Sequence, residues 1–175
     1  MSNLDIASYN RQGKVFTAAN TSAKSVIAVT TSMTGVILYN PAGSNKKFII
    51  VDAGWVWTTV PGAVHNIGMA LAAPNVTVPT TLTAIGSGVL AADGSGNAGT
   101  SVARAYDAAA LPVAPVIQRW SFGAAWGSSV AVSPFKATDQ IDGALILVPG
   151  AVLAFAAVTT TAVGMGSVTW IEVPA

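Results

Sequence analysis

The stretch from Asp142 to Val173 constrains the fold more than any other part of the chain. It reads Asp-Gly-Ala-Leu-Ile-Leu-Val-Pro-Gly-Ala-Val-Leu-Ala-Phe-Ala-Ala-Val-Thr-Thr-Thr-Ala-Val-Gly-Met-Gly-Ser-Val-Thr-Trp-Ile-Glu-Val. Short apolar runs are cut by Pro149-Gly150 and by the Thr/Gly segment from Thr159 to Gly166. Proline presets φ for the second position of a β-turn, and glycine accepts the positive φ of the third. The stretch therefore predicts a β-meander with its turns written in.

The rest of the chain follows the same grammar. Val, Thr, Ile and aromatic residues dominate its apolar runs, and those types favour strands. Candidate strands are Lys14–Ala18, Ser25–Thr30, Gly35–Tyr39, Lys47–Val60, Val64–Ala72, Thr80–Ala84, Val116–Phe122, Ala144–Val148, Ala151–Thr159 and Ser167–Val173. Asn40-Pro41-Ala42-Gly43-Ser44-Asn45 and Pro61-Gly62 are strong turns between them. This spacing predicts an all-β chain, a single-domain antiparallel β-sandwich of jelly-roll type. The 175 residues fit one such domain. A domain of that size buries roughly 70% of the surface its unfolded chain exposes.

The domain is placed at residues 14–175. Residues 1–13 are polar and without periodicity, and read as an N-terminal arm that stays disordered unless a partner holds it. Residues 86–115 form the least regular part. The Gly/Ser-rich first half reads as a flexible loop, and Ala103–Leu111 could hold one or two helical turns.

Two strands are apolar on both alternations. In the long one, Ile49, Val51, Ala53, Trp55 and Trp57 oppose Phe48, Ile50, Asp52, Gly54 and Val56. In Ala151–Thr159, Leu153, Phe155 and Ala157 oppose Val152, Ala154 and Ala156. Strands apolar on both faces are covered on both faces. The outer cover is either a loop of the same chain or another subunit.

Charged residues are only 9% of the chain and the net charge is +1. That leaves no electrostatic footprint for nucleic acid or an anionic membrane. The longest uncharged apolar run, Gly143 to Val158, falls short of the 18 or so residues of a spanning helix, and Pro-Gly interrupts it. No secretory h-region is visible at the N-terminus. Cysteine is absent, which removes disulfides, thiolate nucleophiles and Cys-based metal sites.

Reactive chemistry is sparse. His65 is the only histidine, and no Gly-x-Ser-x-Gly elbow accompanies it. Glu172 is the only glutamate. Asp139-Gln140-Ile141-Asp142 offers too few oxygens for Ca²⁺ and reads as a loop cap. The glycines at 86, 88, 94 and 96 lack the Gly-Lys-Ser/Thr ending of a phosphate loop. No catalytic, cofactor-binding or metal-ligating residue is assigned, and the chain is expected not to be an enzyme. The five tryptophans stand out instead: Trp55, Trp57, Trp120, Trp126 and Trp170. Core packing is the expectation for Trp170 and for one of Trp55 and Trp57. The candidate interface residues are Phe16, Trp55, Trp57, Trp120 and Trp126, with Trp126 the best candidate for an exposed anchor.

Several segments carry a resemblance. They are Gly13-Lys-Val-Phe16-Thr-Ala-Ala, Thr34-Gly-Val-Ile-Leu-Tyr-Asn-Pro-Ala-Gly-Ser-Asn45 leading to Phe48-Ile-Ile-Val, Asp142-Gly-Ala-Leu-Ile-Leu-Val-Pro-Gly150, and Ser167-Val-Thr-Trp-Ile-Glu-Val-Pro174. Together they resemble small jelly-roll virion proteins of tailed bacteriophages, of the capsid decoration (cement) or head-fibre type. The resemblance rests on strand and turn punctuation and supplies no site residue. It implies a homotrimer on the capsid surface, with the major capsid protein or another virion protein as partner and no cofactor. The alternatives are a fibre, spike or tail component, a glycan-binding module using exposed tryptophans, and a polysaccharide-cleaving enzyme on the same scaffold.

Overall fold

The structure, a computed structural model, describes residues 5–59, 65–95, 99–124, 136–158 and 161–175. Two antiparallel sheets pack face to face as a β-sandwich. The strands are β1 (Val15–Ala19), β2 (Lys24–Val26), β3 (Ser32–Tyr39), β4 (Lys46–Trp57), β5 (His65–Ala72), β6 (Thr80–Ala84), β7 (Leu90–Ala91), β8 (Arg104–Ala110), β9 (Val116–Ala124), β10 (Lys136–Leu147), β11 (Val152–Ala157) and β12 (Ala162–Pro174). One helix, α1 (Ile6–Arg11), precedes them. The first sheet has the order β10-β4-β12-β1-β7, with β2 also paired to β12. The second has the order β6-β8-β3-β11-β5-β9.

The apolar runs of the C-terminal stretch are strands, but not a meander. β10 and β12 belong to the first sheet and β11 to the second. The Pro149-Gly150 turn is as predicted. The Ala151 amide donates to the Val148 carbonyl, and Gly150 sits at φ 87°. It joins the two sheets rather than two paired strands. Turn residues specify that the chain reverses; they do not say which strand it then pairs with.

β4 is the spine of the first sheet, and it contains a register break. On the β12 side, Ile50 faces Trp170 and Asp52 faces Thr169, so Val51 has no partner. On the β10 side, Ile50 faces Leu145 and Asp52 faces Gln140, leaving residues 141–144 looped out. Such a bulge inverts the alternation beyond it. Phe48 and Ile50 before it, and Ala53, Trp55 and Trp57 after it, all enter one core. The two apolar alternations read in the sequence are therefore largely one inner face, split by an extra residue.

The residues left outside are covered by the chain itself. Val51 packs with Val15, Ile171, Ile49, Val173 and the helix residues Ile6 and Tyr9. Residues 6–11 are thus helical rather than an irregular arm. Asp5 caps the helix, accepting from the Ser8 amide at 3.0 Å. Ile6 and Tyr9 stand three apart and share a face.

The second sheet is covered in the same way. Val152, Ala154 and Ala156 of the central strand β11 lie in an outer cluster with Met33, Ile37, Tyr39, Tyr106 and Leu111. Ala72 at the end of β5 faces Val152, while Thr80 at the start of β6 faces Ala110 at the opposite corner. Residues 73–79 must therefore cross the sheet diagonally. Residues 111–115 cross it too, from Ala110 to Val116 beside Leu71. Leu111, which opens that crossing, is buried in the outer cluster.

Two further expectations change. Ala103–Leu111 holds strand β8 rather than helical turns, because Tyr106, Ala108 and Ala110 pair with β3 on one side and with β6 on the other. Strand β10 begins at Lys136, well before Ala144, and so takes in Asp139 and Asp142. Pro61-Gly62 lies outside the described residues.

Trp55 is closely packed against β12. Its indole lies against Gly164 and Gly166 of β12, and a Cβ at Gly166 would meet Val36 at 2.7 Å and Phe155 at 3.0 Å. At Gly164 a Cβ would collide with the Val56 carbonyl oxygen, which is backbone and cannot swing aside. We expect Gly164→Ala to lower unfolding free energy by about 1–3 kcal/mol, the cost of overpacking a dense core. Denaturant titration of the variant, with unchanged slope, measures it.

Candidate functional site

The predicted interface residues separate sharply. Phe16, Trp55 and Trp57 lie inside the sandwich. They offer no side-chain surface to a partner, because the bulge at Val51 turns both tryptophans inward. Phe16 and Phe48 flank Trp170, each ring centre 6.2 Å from the indole. Trp120 is 55% exposed. Trp126 lies outside the described residues.

Trp120 faces solvent for a backbone reason. In the pairing of β9 with β5, Ile67 faces Phe122 and Gly68 faces Trp120, leaving Ser121 extra. Met69 faces Arg119 and Ala70 faces Ile117, leaving Gln118 extra. Two bulges thus bracket residues 119 and 120. Phe122 enters the core and Ile117 joins the outer cluster. Between the bulges Trp120 is turned out and Arg119 is turned in, the reverse of what unbroken alternation from Phe122 would give.

Arg119 reaches across to the edge of the other sheet. Its Nε donates to Asp139 Oδ2 at 2.7 Å and its Nη2 donates to Oδ1 at 2.8 Å. This two-pronged pair ties β9 to β10. The guanidinium holds the Asp139 carboxyl below the usual carboxylate range, against the opposing cost of burial.

A groove opens where β9 begins and β10 ends. Leu71, Ala72, Ala73 and Pro74 form one wall, Val113, Ala114, Val116 and Gln118 another, and Ile146, Val148 and Ala151 the third. Its volume is about 380 Å³, and none of these residues is charged. Val116 is 63% exposed, Ile146 48% and Val113 42%. Three large aliphatic side chains thus stand open around one uncharged groove.

A second cavity of about 370 Å³ lies at the end of β12, lined in part by Lys14, Lys46, Thr100 and Glu172. Glu172 is buried, and its partners account for it. Its carboxylate accepts from Lys46 Nζ at 2.8 Å and the Ser101 hydroxyl at 2.6 Å. It also accepts from the Val102 amide at 3.3 Å and the Trp170 indole at 3.4 Å. Four donors on one carboxylate make a latch for the chain around residues 100–102. Sequence alternation carried a signal for this. Glu172 shares the face of Val168 and Trp170, so a lone acid was pointing inward and needed donors.

A third polar cluster joins the sheets. Asn20 donates to Asp107 at 2.6 Å and accepts from the Gly166 amide at 3.0 Å, and Lys24 lies 2.9 Å from the other Asp107 oxygen. Nothing in the sequence marked these three residues, which are brought together from distant strands. His65 is buried at the start of β5, and burial pushes its pKa down. Among the described residues no group of three or more His, Asp or Glu could hold a metal ion, and no helix is long and apolar enough to cross a membrane.

No protein family, curated protein or solved structure matches the chain.

Two outcomes follow from this geometry. Glu172→Gln keeps the shape but removes the charge that holds Lys46 and Val102. Since Lys46 can reach water, we expect a loss of about 1–3 kcal/mol, less than for a fully buried pair. Hydrogen exchange at Val102 should accelerate with it. The Arg119–Asp139 contribution is present above pH 4 or so, the unfolded carboxylate value, and fades as pH falls through the lowered folded value. Melting temperatures of the native chain and Asp139→Asn should differ by a constant amount near neutrality and converge in acid.

Proposed function

We propose that this chain is a structural virion protein that works by assembly, a capsid decoration or cement protein of the jelly-roll type. The observation that carries the reading is the uncharged groove at the ends of β9 and β10, with Val113, Val116 and Ile146 open around it. Of the nine large hydrophobic residues exposed among the described residues, these three gather around one groove.

The strand order supports the jelly-roll part of the reading. Setting aside the added β2, β6, β7 and β8, the sheets read β10-β4-β12-β1 and β3-β11-β5-β9. The chain alternates between the sheets except for one step, from β5 to β9. That is the winding expected of two Greek keys in a double-sheet jelly roll. The resemblance in the turn and strand punctuation points the same way.

A cement protein stabilises a shell by adding buried area across subunit junctions. An interface of ordinary size takes about 800 Å² from each partner, near a tenth of a small protein's surface. The accessible surface here is 8141 Å², so one such contact is readily accommodated. Linked copies then multiply modest contacts by raising effective concentration. We place the self-contact of the oligomer, or its seat on the capsid, at the groove.

The test is the double variant Val116→Asp, Ile146→Asp. Both side chains are exposed, so folding should survive. We expect the purified protein to lose its oligomer by mass photometry, or to lose binding to particles if it is a monomer alone. An unchanged oligomer that still binds particles would remove the groove from the reading.

A further inference from the structure

We propose that Trp120 and the shelf around it form a stacking site for a neutral carbohydrate. The site is separate from the groove and goes beyond the assembly role. It begins with the two bulges. An indole left to plain alternation in β9 would share the inner face with Phe122. Breaking the ladder on both sides of residues 119–120 turns it to water instead, and bulges of this kind re-aim side chains at functional sites.

The shelf suits a flat ligand. Trp120 lies against Gly68, where an added Cβ would come within 3.0 Å of the indole and within 3.0 Å of the Ile117 side chain. One side of the ring is thus backed by the sheet, and the residue remains 55% exposed on the other. Asn66 lies on the same face of β5, two positions from Gly68, and is exposed. Opposite Asn66 stands Gly123, which adds no side chain to obstruct the approach.

The chemistry of these groups selects the ligand. A sugar ring offers a face of C–H bonds that packs on an aromatic ring, and a rim of hydroxyls around it. The Asn66 amide can donate and accept, as vicinal hydroxyls require. Among the described residues, the side chains placed on the shelf, Trp120, Asn66 and Ile117, are all uncharged. Arg119, the nearest cation in sequence, is turned to the opposite side and engaged by Asp139. An anionic polymer therefore finds no counter-charge here. A protein hot spot would be ringed by several apolar side chains, whereas beside the indole the shelf holds an amide, two glycines and one half-buried aliphatic side chain, Ile117.

Native gel electrophoresis through embedded polysaccharide tests the site. The probes are dextran, mannan and a mixed-linkage β-glucan, with alginate as the anionic comparison. We expect retardation by at least one neutral polymer and not by alginate. Trp120→Ala should weaken it by about tenfold, in line with the loss of one aromatic stack and its area. Trp120→Phe should retain part of it. Gly68→Ala should weaken it by tilting the indole, and melting temperatures report whether each variant stays folded. The Val116→Asp, Ile146→Asp variant should bind sugar as the native chain does, which separates this site from the assembly reading. Absence of retardation on every neutral gel overturns the proposal. So does retardation unaffected by Trp120→Ala, or an oligomer that dissociates when Trp120 is truncated, which would make the indole a protein contact.

Discussion

One extra residue in β4 decides what is inside this protein. Without the bulge at Val51, the strand could bury either Phe48 and Ile50 or Trp55 and Trp57, but not both sets. A slip of one residue moves every later side chain to the other face. With the bulge, all four large side chains enter the same core. Both neighbouring strands accommodate it, β12 by a skipped pairing and β10 by looping out residues 141–144. The glycines of β12 then receive the Trp55 indole, and α1 closes over the residues that the break leaves outside. The sandwich, its helix and the packing around Trp55 all rest on that register.

The same device explains how far the fold could be read in advance. Strand types, the Pro149-Gly150 turn and the sandwich class were legible because they depend on local residue chemistry. Bulges are not local in that sense. Val51 is an ordinary strand residue, and only its partners reveal that it is extra. That is why β4 reads as a strand with two apolar faces, and why Trp55 and Trp57 read as candidate interface residues. β8 was obscured by alanines, which fit a helix as well as a strand placed between two others. The glutamate latch was half legible from alternation with Trp170. The Asn20–Asp107–Lys24 cluster was not legible, since it depends on three separate strands meeting.

Bulges also give β9 its character. Edge strands invite unwanted pairing, and breaks in their ladder are one way to prevent it. In β9 two breaks do this and, by the same movement, send Arg119 inward to Asp139 and Trp120 outward. At the start of the strand Val116, with Ile146 of β10, frames an uncharged groove. A single edge thus carries a rigid tie to the other sheet, an open indole and a bare apolar surface. These features fit a building block whose work is contact, and they give separate residues to separate contacts.

The proposed role makes this chain a component of an assembled particle. The most direct measurement is its copy number in purified virus particles, by quantitative mass spectrometry against the major capsid protein. A decoration protein would be present in hundreds of copies, in a simple ratio to the capsid subunit. Absence of the chain from the particle would contradict it.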